Sequence, residues 1–253
     1  MTDFERWVVR PRPRSGPSLR LLCVPFAGAG TGIYHGWADL LPADVELWLL
    51  RPPGRETRLR EPPYPDLRRL ADAAALVLAA RADGPVAVFG HSLGAAVGFE
   101  LARRLRYRYG VATRHVLVSG LAAPHLPRRP PIHDLPAAEF LDALAERYQQ
   151  VPDALRDDPE MQAMYLPVLR ADVAMYETYR CAPGSLLDCP LTALGGCADS
   201  DCPAEVLAEW RQYTTGGFTL TMLAGGHFNF NTAAERATMV GAISRALGLD
   251  GAR

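Results

Sequence analysis

A serine hydroxyl is a poor nucleophile at neutral pH unless a base is positioned beside it, and Gly90-His91-Ser92-Leu93-Gly94 has the form in which such serines are held. The pentapeptide lies between the apolar run VAVF and the helical run AAVGFELARRL. A serine on a tight strand-to-helix turn has a strained backbone, and small residues two places to either side prevent collisions. Gly90 and Gly94 meet that need. The same turn puts Ser92 at a helix N-terminus, where free N–H groups and the helix dipole favour developing negative charge. The chemistry expected is acyl transfer through an acyl-serine.

The base is expected late in the chain, after an acid. Among six histidines, His35 precedes the serine, His91 adjoins it and should point away from its Oγ, His115 begins a strand, and His125 and His133 lie in a Pro-rich stretch. His227 fits best. It follows the strand-like FTLTML in AGGHFNF, where Gly225 and Gly226 let the loop turn and present the imidazole beyond a strand end. The acid should close a strand between Ser92 and His227. LTALGG followed by CADSD offers Asp199 and Asp201, with Asp188 before the strand a third choice. The oxyanion needs two backbone donors. In this architecture Leu93 N–H, after the nucleophile, is one, and the early loop VPFAGAGTG supplies the other, from Ala27 or alternatively Phe26. The glycines of that loop do not make a nucleotide cradle: G-x-G-x-x-G fails at Ile33 and no G-K-[ST] follows.

These residues need a scaffold that aligns several strand ends. Buried strands are predicted at 19–26, 45–50, 86–90, 115–120, 191–196 and 218–223, alternating with helical patterns at 66–81, 93–109, 203–213 and 232–247 with Thr232 as an N-cap. That alternation predicts an α/β fold with a mostly parallel central sheet flanked by helices. Residues 121–187 interrupt it with amphipathic helical patterns at 136–150 and 157–179, which predicts a helical insertion seated on the sheet within a single 1–253 domain. Arg51 to Pro65 reads as a long loop.

Composition narrows the function. The 253 residues carry 27 basic and 28 acidic side chains, a net charge of −1, with no basic run interleaved with aromatics, so nucleic-acid binding is not expected. All the basic residues are Arg. They are unevenly placed: residues 1–130 hold 19 Arg against 11 acids, and residues 131–253 hold 8 against 17. The opening MTDFERWVVR lacks the apolar stretch of a signal peptide, and no run is long and apolar enough to span a bilayer, so a mature, soluble chain with no membrane association is expected. Five cysteines without C-x-x-C spacing suggest free thiols in a reducing cytoplasm, and no metal site.

Taken in order, VPFAGAG, the Tyr34 to Trp37 segment leading to LLP, RPPGRETRLREP, FGHSLG, SGLAAP, LPVLRADVAMYETYR, LDCPLTALGGCADSD and GGHFNF resemble landmarks of the type II thioesterases that accompany polyketide synthases and nonribosomal peptide synthetases. Leu93 replaces the Met common in that family after the nucleophile. The resemblance implies an α/β-hydrolase fold, Ser92 as nucleophile, His227 as base, Asp199 as acid, and residues 121–187 as a mobile lid over an acyl chamber. It implies an editing hydrolase that removes acyl groups from the phosphopantetheine arm of acyl or peptidyl carrier proteins, needing no cofactor of its own; separately, a monomer is expected. An esterase or acyltransferase on a free small molecule, and a noncatalytic carrier binder, are the alternatives. Because carrier domains are commonly acidic, Arg51, Arg55, Arg58, Arg60, Arg128 and Arg129 are expected to include docking residues; a solvated Arg-rich surface is the plainer expectation.

Overall fold

A computed structural model describes residues 2–148, 153–182, 184 and 186–249. The ends of the predicted 1–253 domain, and residues 149–152, 183 and 185 of the predicted insertion, lie outside the described residues. The strands are β1 (Val8–Val9), β2 (Leu19–Val24), β3 (Val45–Leu50), β4 (Val86–His91), β5 (Thr113–Ser119), β6 (Leu191–Gly196) and β7 (Phe218–Leu223). They form one seven-stranded sheet in the order β1-β3-β2-β4-β5-β6-β7, parallel except for β1 at the edge. After β3 the chain crosses back over β2 to lay down β4, so the loops leaving β2 and β4 diverge. Such a reversal opens a crevice at the carboxyl ends of the two strands.

The helices are α1 (Asp3–Trp7), α2 (Leu67–Ala79), α3 (Leu93–Tyr109), α4 (Ala137–Tyr148), α5 (Asp153–Asp157), α6 (Pro159–Thr178), α7 (Ala204–Ala208) and α8 (Ala233–Ala246), with 3₁₀ turns at Thr31–Asp39, Glu56–Arg58 and Glu209–Tyr213. The alternation of side chains along buried strands sorts the core into two layers. Leu22, Val24 and Val88 pack with α2 and α3, whereas Leu21, Cys23 and Phe89 pack with Tyr34, Trp37 and the α8 residues Met239 and Ile243. Between β5 and β6 lie α4, α5 and α6, whose small core joins Phe140 and Leu144 to Ile132 and Val173. No helix among the described residues is long and apolar enough to cross a membrane.

Two features escape the sequence pattern. The α1–β1 segment is too short to show a period; its capping box at Thr2 and Glu5 and the burial of Phe4 and Trp7 hold it against the sheet edge. The 3₁₀ turn at Thr31–Asp39 buries Tyr34 and Trp37, and Tyr34 Oη donates to the Val24 carbonyl over 3.0 Å.

The expected Arg docking set needs correction. Arg51, Arg55 and Arg58 are buried. Arg51 Nε donates to the Arg6 carbonyl, Arg58 bonds the Arg51 carbonyl and Glu61 while stacking 4.2 Å over Trp7, and Arg55 pairs with Asp172. Arg128 donates to the Tyr176 and Tyr179 carbonyls. These four guanidiniums hold loops to the body, a use of Arg that charge counting does not separate from docking. Arg60 and Arg129 stay exposed, the latter paired with Asp201.

Candidate active site

The turn that bears Ser92, the candidate nucleophile, follows from two close approaches. A Cβ on Gly90 would stand 2.0 Å from the Gly94 carbonyl oxygen, and one on Gly94 would stand 2.3 Å from that of Val24. Only glycine at both positions lets the start of α3 sit on the end of β2. Ser92 is forced to φ 53°, ψ −124°, a left-handed backbone that a serine adopts only where its surroundings impose it. Its N–H donates to the Ser119 carbonyl at 2.8 Å, which ties the elbow to the neighbouring strand β5.

His227 and Asp199 are brought together by the ends of β6 and β7. Leu223 accepts from Cys197 N–H at 2.8 Å and Gly225 from Ala198 N–H at 2.9 Å, so the two loops are laced by backbone. Gly196 permits the contact, because a Cβ there would lie 2.1 Å from the Gly226 oxygen. Asp199 Oδ2 then accepts from His227 Nδ1 at 2.8 Å, while its Oδ1 accepts the Asp201 N–H at 3.1 Å. Burial pushes the Asp199 carboxyl up, but its bond and charge interaction with His227 and the N–H groups of Asp201 and Cys202 outweigh this and hold it below the usual carboxylate range. The carboxylate fixes the ring with Nδ1 protonated and leaves Nε2 as the basic nitrogen. That Nε2 is buried and has no hydrogen-bond partner among the described residues, and His227 lines the same cavity as Ser92.

Aromatic packing holds the imidazole in place. Phe228 packs on Phe26 at 4.8 Å between centroids, and Phe230, buried, packs on His91 at 5.0 Å. His91 turns inward, as its place in the motif predicts, and pairs through Nδ1 with Ser119 Oγ at 3.0 Å. Burial and the neighbouring His227 drive its pKa well below the usual histidine value, so it stays neutral.

Of the competing acids, Asp201 pairs with Arg129 and Asp188 with Arg106. Neither reaches the imidazole in these pairings. The other histidines are engaged elsewhere: His115 with Thr192, His125 with Tyr213, His133 with Glu177, and His35 beside Thr31. Ala27 and Leu93 border the cavity together with Ser92, and Phe26 does as well. The Phe26 carbonyl accepts from Ala29 N–H at 3.0 Å, so the planar peptide turns the Ala27 N–H to the opposite side. Among the described residues no cluster of His, Cys, Asp or Glu has the geometry of a metal site.

Two cavities meet at Ser92 and His227. One, of about 100 Å³, is apolar and includes Leu93, Leu144, Leu155, Leu169, Val173 and Phe228. The other, of about 110 Å³, has a mixed lining in which Arg128, Arg129, Arg147, Glu177 and Asp201 stand among Leu121, Ala122 and Pro127. Tyr148 and Tyr176 border both. The sequence patterns did not single out these tyrosines, since at helical spacing they read as ordinary core.

Residues 19–247 match the thioesterase domain family. The chain is 38% identical over 235 residues to the linear gramicidin dehydrogenase LgrE of Brevibacillus parabrevis, spanning 91% of this chain and 89% of that one. It is 37% identical over 233 residues to thioesterase PikA5 of Streptomyces venezuelae, spanning 90% and 82%. Its fold superposes on the solved structure of the type II thioesterase BorB from the borrelidin biosynthetic cluster with a TM-score of 0.84 at 35% identity, covering 98% of this chain and 99% of that one. With the family match running from β2 to the end of α8 over the elements that carry the elbow, the acid and the imidazole, the chain belongs to the thioesterase domain family.

Proposed function

We propose that this protein is an editing type II thioesterase that hydrolyses acyl groups from the phosphopantetheine arms of carrier proteins in a polyketide or nonribosomal peptide assembly line. The observation that carries the reading is the strained Ser92 at the junction of an apolar cavity and one of mixed, partly charged lining, beside an imidazole oriented by a buried carboxylate. The apolar side suits an acyl group, and the mixed side suits an arm that combines amides with methylenes. Helices α4 to α6 supply much of the apolar wall and act as the lid.

In the reaction, Ser92 Oγ attacks the thioester carbonyl as His227 Nε2 takes its proton, and the Asp199 carboxylate stabilises the imidazolium. The Ala27 and Leu93 N–H groups receive the charge on the carbonyl oxygen. The pantetheine sulfur leaves with the proton from His227, and a water activated by the same nitrogen releases the acid and restores the serine. No metal or redox group enters these steps. Similarity to a protein named a dehydrogenase adds no nucleotide site, because the loop after β2 has Ile33 where a dinucleotide fingerprint needs glycine. We place the protein in the reducing cytoplasm as a monomer, in keeping with its free cysteines.

Side-by-side turnover of the same acyl group on carrier protein, on coenzyme A and on a simple ester tests the assignment. Faster release from the carrier is expected. Equal rates on all three would make it a general esterase, and binding of carrier without release would make it a noncatalytic binder.

A further inference from the structure

Asp172 is a carboxylate on the core side of α6, 2% exposed, between the chamber residues Leu169 and Val173. Its Oδ2 accepts the Gly28 N–H at 2.8 Å. Both of its oxygens are gripped by buried Arg55, at 2.9 Å from Nη1 and 3.0 Å from Nη2, and the same Nη1 donates to the Ala29 carbonyl at 2.9 Å. The pair therefore holds the loop that follows β2 by its Gly28 N–H and its Ala29 C=O. Between these holds and the chain leaving β2 lies the Phe26–Ala27 peptide, whose carbonyl is fixed by Ala29 N–H. Next along the chain, Glu56 accepts from Thr31 Oγ1 at 2.9 Å. It sits at φ 52°, a left-handed backbone for a non-glycine residue, which shows that the Arg55-Glu56 segment is held against a conformational cost. A Cβ on Gly28 would lie 2.9 Å from Leu169 Cδ1, so α6 presses directly on this loop.

We infer that Asp172 and Arg55 are positioning residues for the oxyanion donor Ala27, and that through them the seating of α6 over the chamber sets the geometry of that donor. The inference rests on the serine-hydrolase reading above. A bidentate, buried pair is a costly way to fill space, since well-packed apolar side chains serve stability as well or better. It is suited to fixing peptide groups in one orientation, and it neutralises a carboxylate that would otherwise oppose a developing oxyanion nearby. When α6 lifts, the Gly28 hold is released and the loop loses its only side-chain acceptor for that N–H seen among the described residues.

The test is the double variant Arg55→Met/Asp172→Leu, which removes both charges together, with Asp172→Asn, which keeps an acceptor for Gly28 N–H, as its companion. Kinetics are read with an acyl pantetheine thioester. Affinity is read with a trifluoromethyl ketone analogue, which Ser92 adds to, passing its proton to His227 and leaving an oxyanion, and with the matching amide, which stays in the ground state. The double variant is expected to lose about 10- to 100-fold in kcat and in ketone affinity, with KM and amide affinity within about twofold, and Asp172→Asn to fall between it and the parent. If the folded double variant keeps kcat and ketone affinity within about twofold, or raises KM with kcat unchanged, the positioning role is wrong. Retained hydrolysis in Ser92→Ala would instead defeat the serine-hydrolase reading itself, so the two failures are distinguishable.

Discussion

In the proposed triad, Asp199 accepts the hydrogen on His227 Nδ1, which leaves Nε2 free to take the Ser92 proton. Replacing Asp199 with Asn leaves the shape of the site but lets the imidazole present the wrong tautomer to the serine. A fall of about 10⁴-fold in kcat, with KM little changed, is expected from steady-state kinetics on an acyl thioester. Asp201→Asn is expected to leave kcat within a few-fold, since that carboxylate pairs with Arg129 rather than His227. Equal losses in the two variants would contradict the assignment of the acid. Gly94→Ala tests the elbow: its methyl would meet the Val24 and Pro25 carbonyls, so soluble protein carrying this change should have lost hydrolysis by at least 10²-fold, on the order expected for a misplaced oxyanion donor. The proposed nucleophile and base stand out in the sequence because each is announced by glycines that only a tight turn needs. Asp199 and Asp201 are two residues apart in one loop, and residue type alone could not choose between them. Asp172 lies within LPVLRADVAMYETYR but carries no signal of its role there, because its partners Gly28 and Arg55 are far away in the chain and meet it only in the fold.

The elements that carry these residues were readable to different degrees. The buried parallel strands and the long helices α3 and α8 follow the apolar runs closely, since burial on both faces of a sheet and on one face of a helix imposes those patterns. The two-residue β1 and the 3₁₀ turns have no period to read, and their positions are set by what they pack against. At this scale the helices α4 to α6 set the size of the apolar chamber. Its volume of about 100 Å³ is below the roughly 150 Å³ of an engineered cavity that takes benzene, so a preference for short acyl groups is expected. Release of acetyl or propionyl groups should outpace release of dodecanoyl by at least tenfold. Val173→Ala, which trims the α6 wall, should narrow that gap; a chain-length profile that the substitution leaves unmoved would show that the chamber does not select the acyl group. The loop bearing His227 depends on Phe230, which packs on His91, Tyr34 and Trp37. Phe230→Ala should lower stability in urea unfolding by about 3–5 kcal/mol.

Across the whole molecule, charge has two consequences that the residue counts do not separate. The Arg excess in residues 1–130 is partly internal, taken up by the loop contacts of Arg51, Arg55 and Arg58, so the exposed surface is less basic than the residue counts suggest. The response to acid is also set inside. Burial, with the charge of Arg114, pushes His115 down to about 4 from an ordinary 6.5, and His91 lies well below its usual value. The unfolded chain therefore takes up protons below pH 6.5 that the folded chain refuses, and stability present above that pH is lost as pH falls toward 4. His115→Gln, which can keep the bond to Thr192, should flatten this decline by roughly 3 kcal/mol in urea titrations run from pH 7 to pH 4. An unchanged slope would show that His115 is not buried neutral. The central claim, that Ser92 takes the acyl group from a carrier-bound thioester, is tested most directly by intact-protein mass spectrometry of rapidly quenched mixtures with acylated carrier. The account predicts a transient acyl increment on the Ser92 peptide as the carrier returns to its free-thiol form, with neither change in Ser92→Ala. Unimpaired release by Ser92→Ala, or an acyl increment on another residue such as the exposed Cys197, would contradict it.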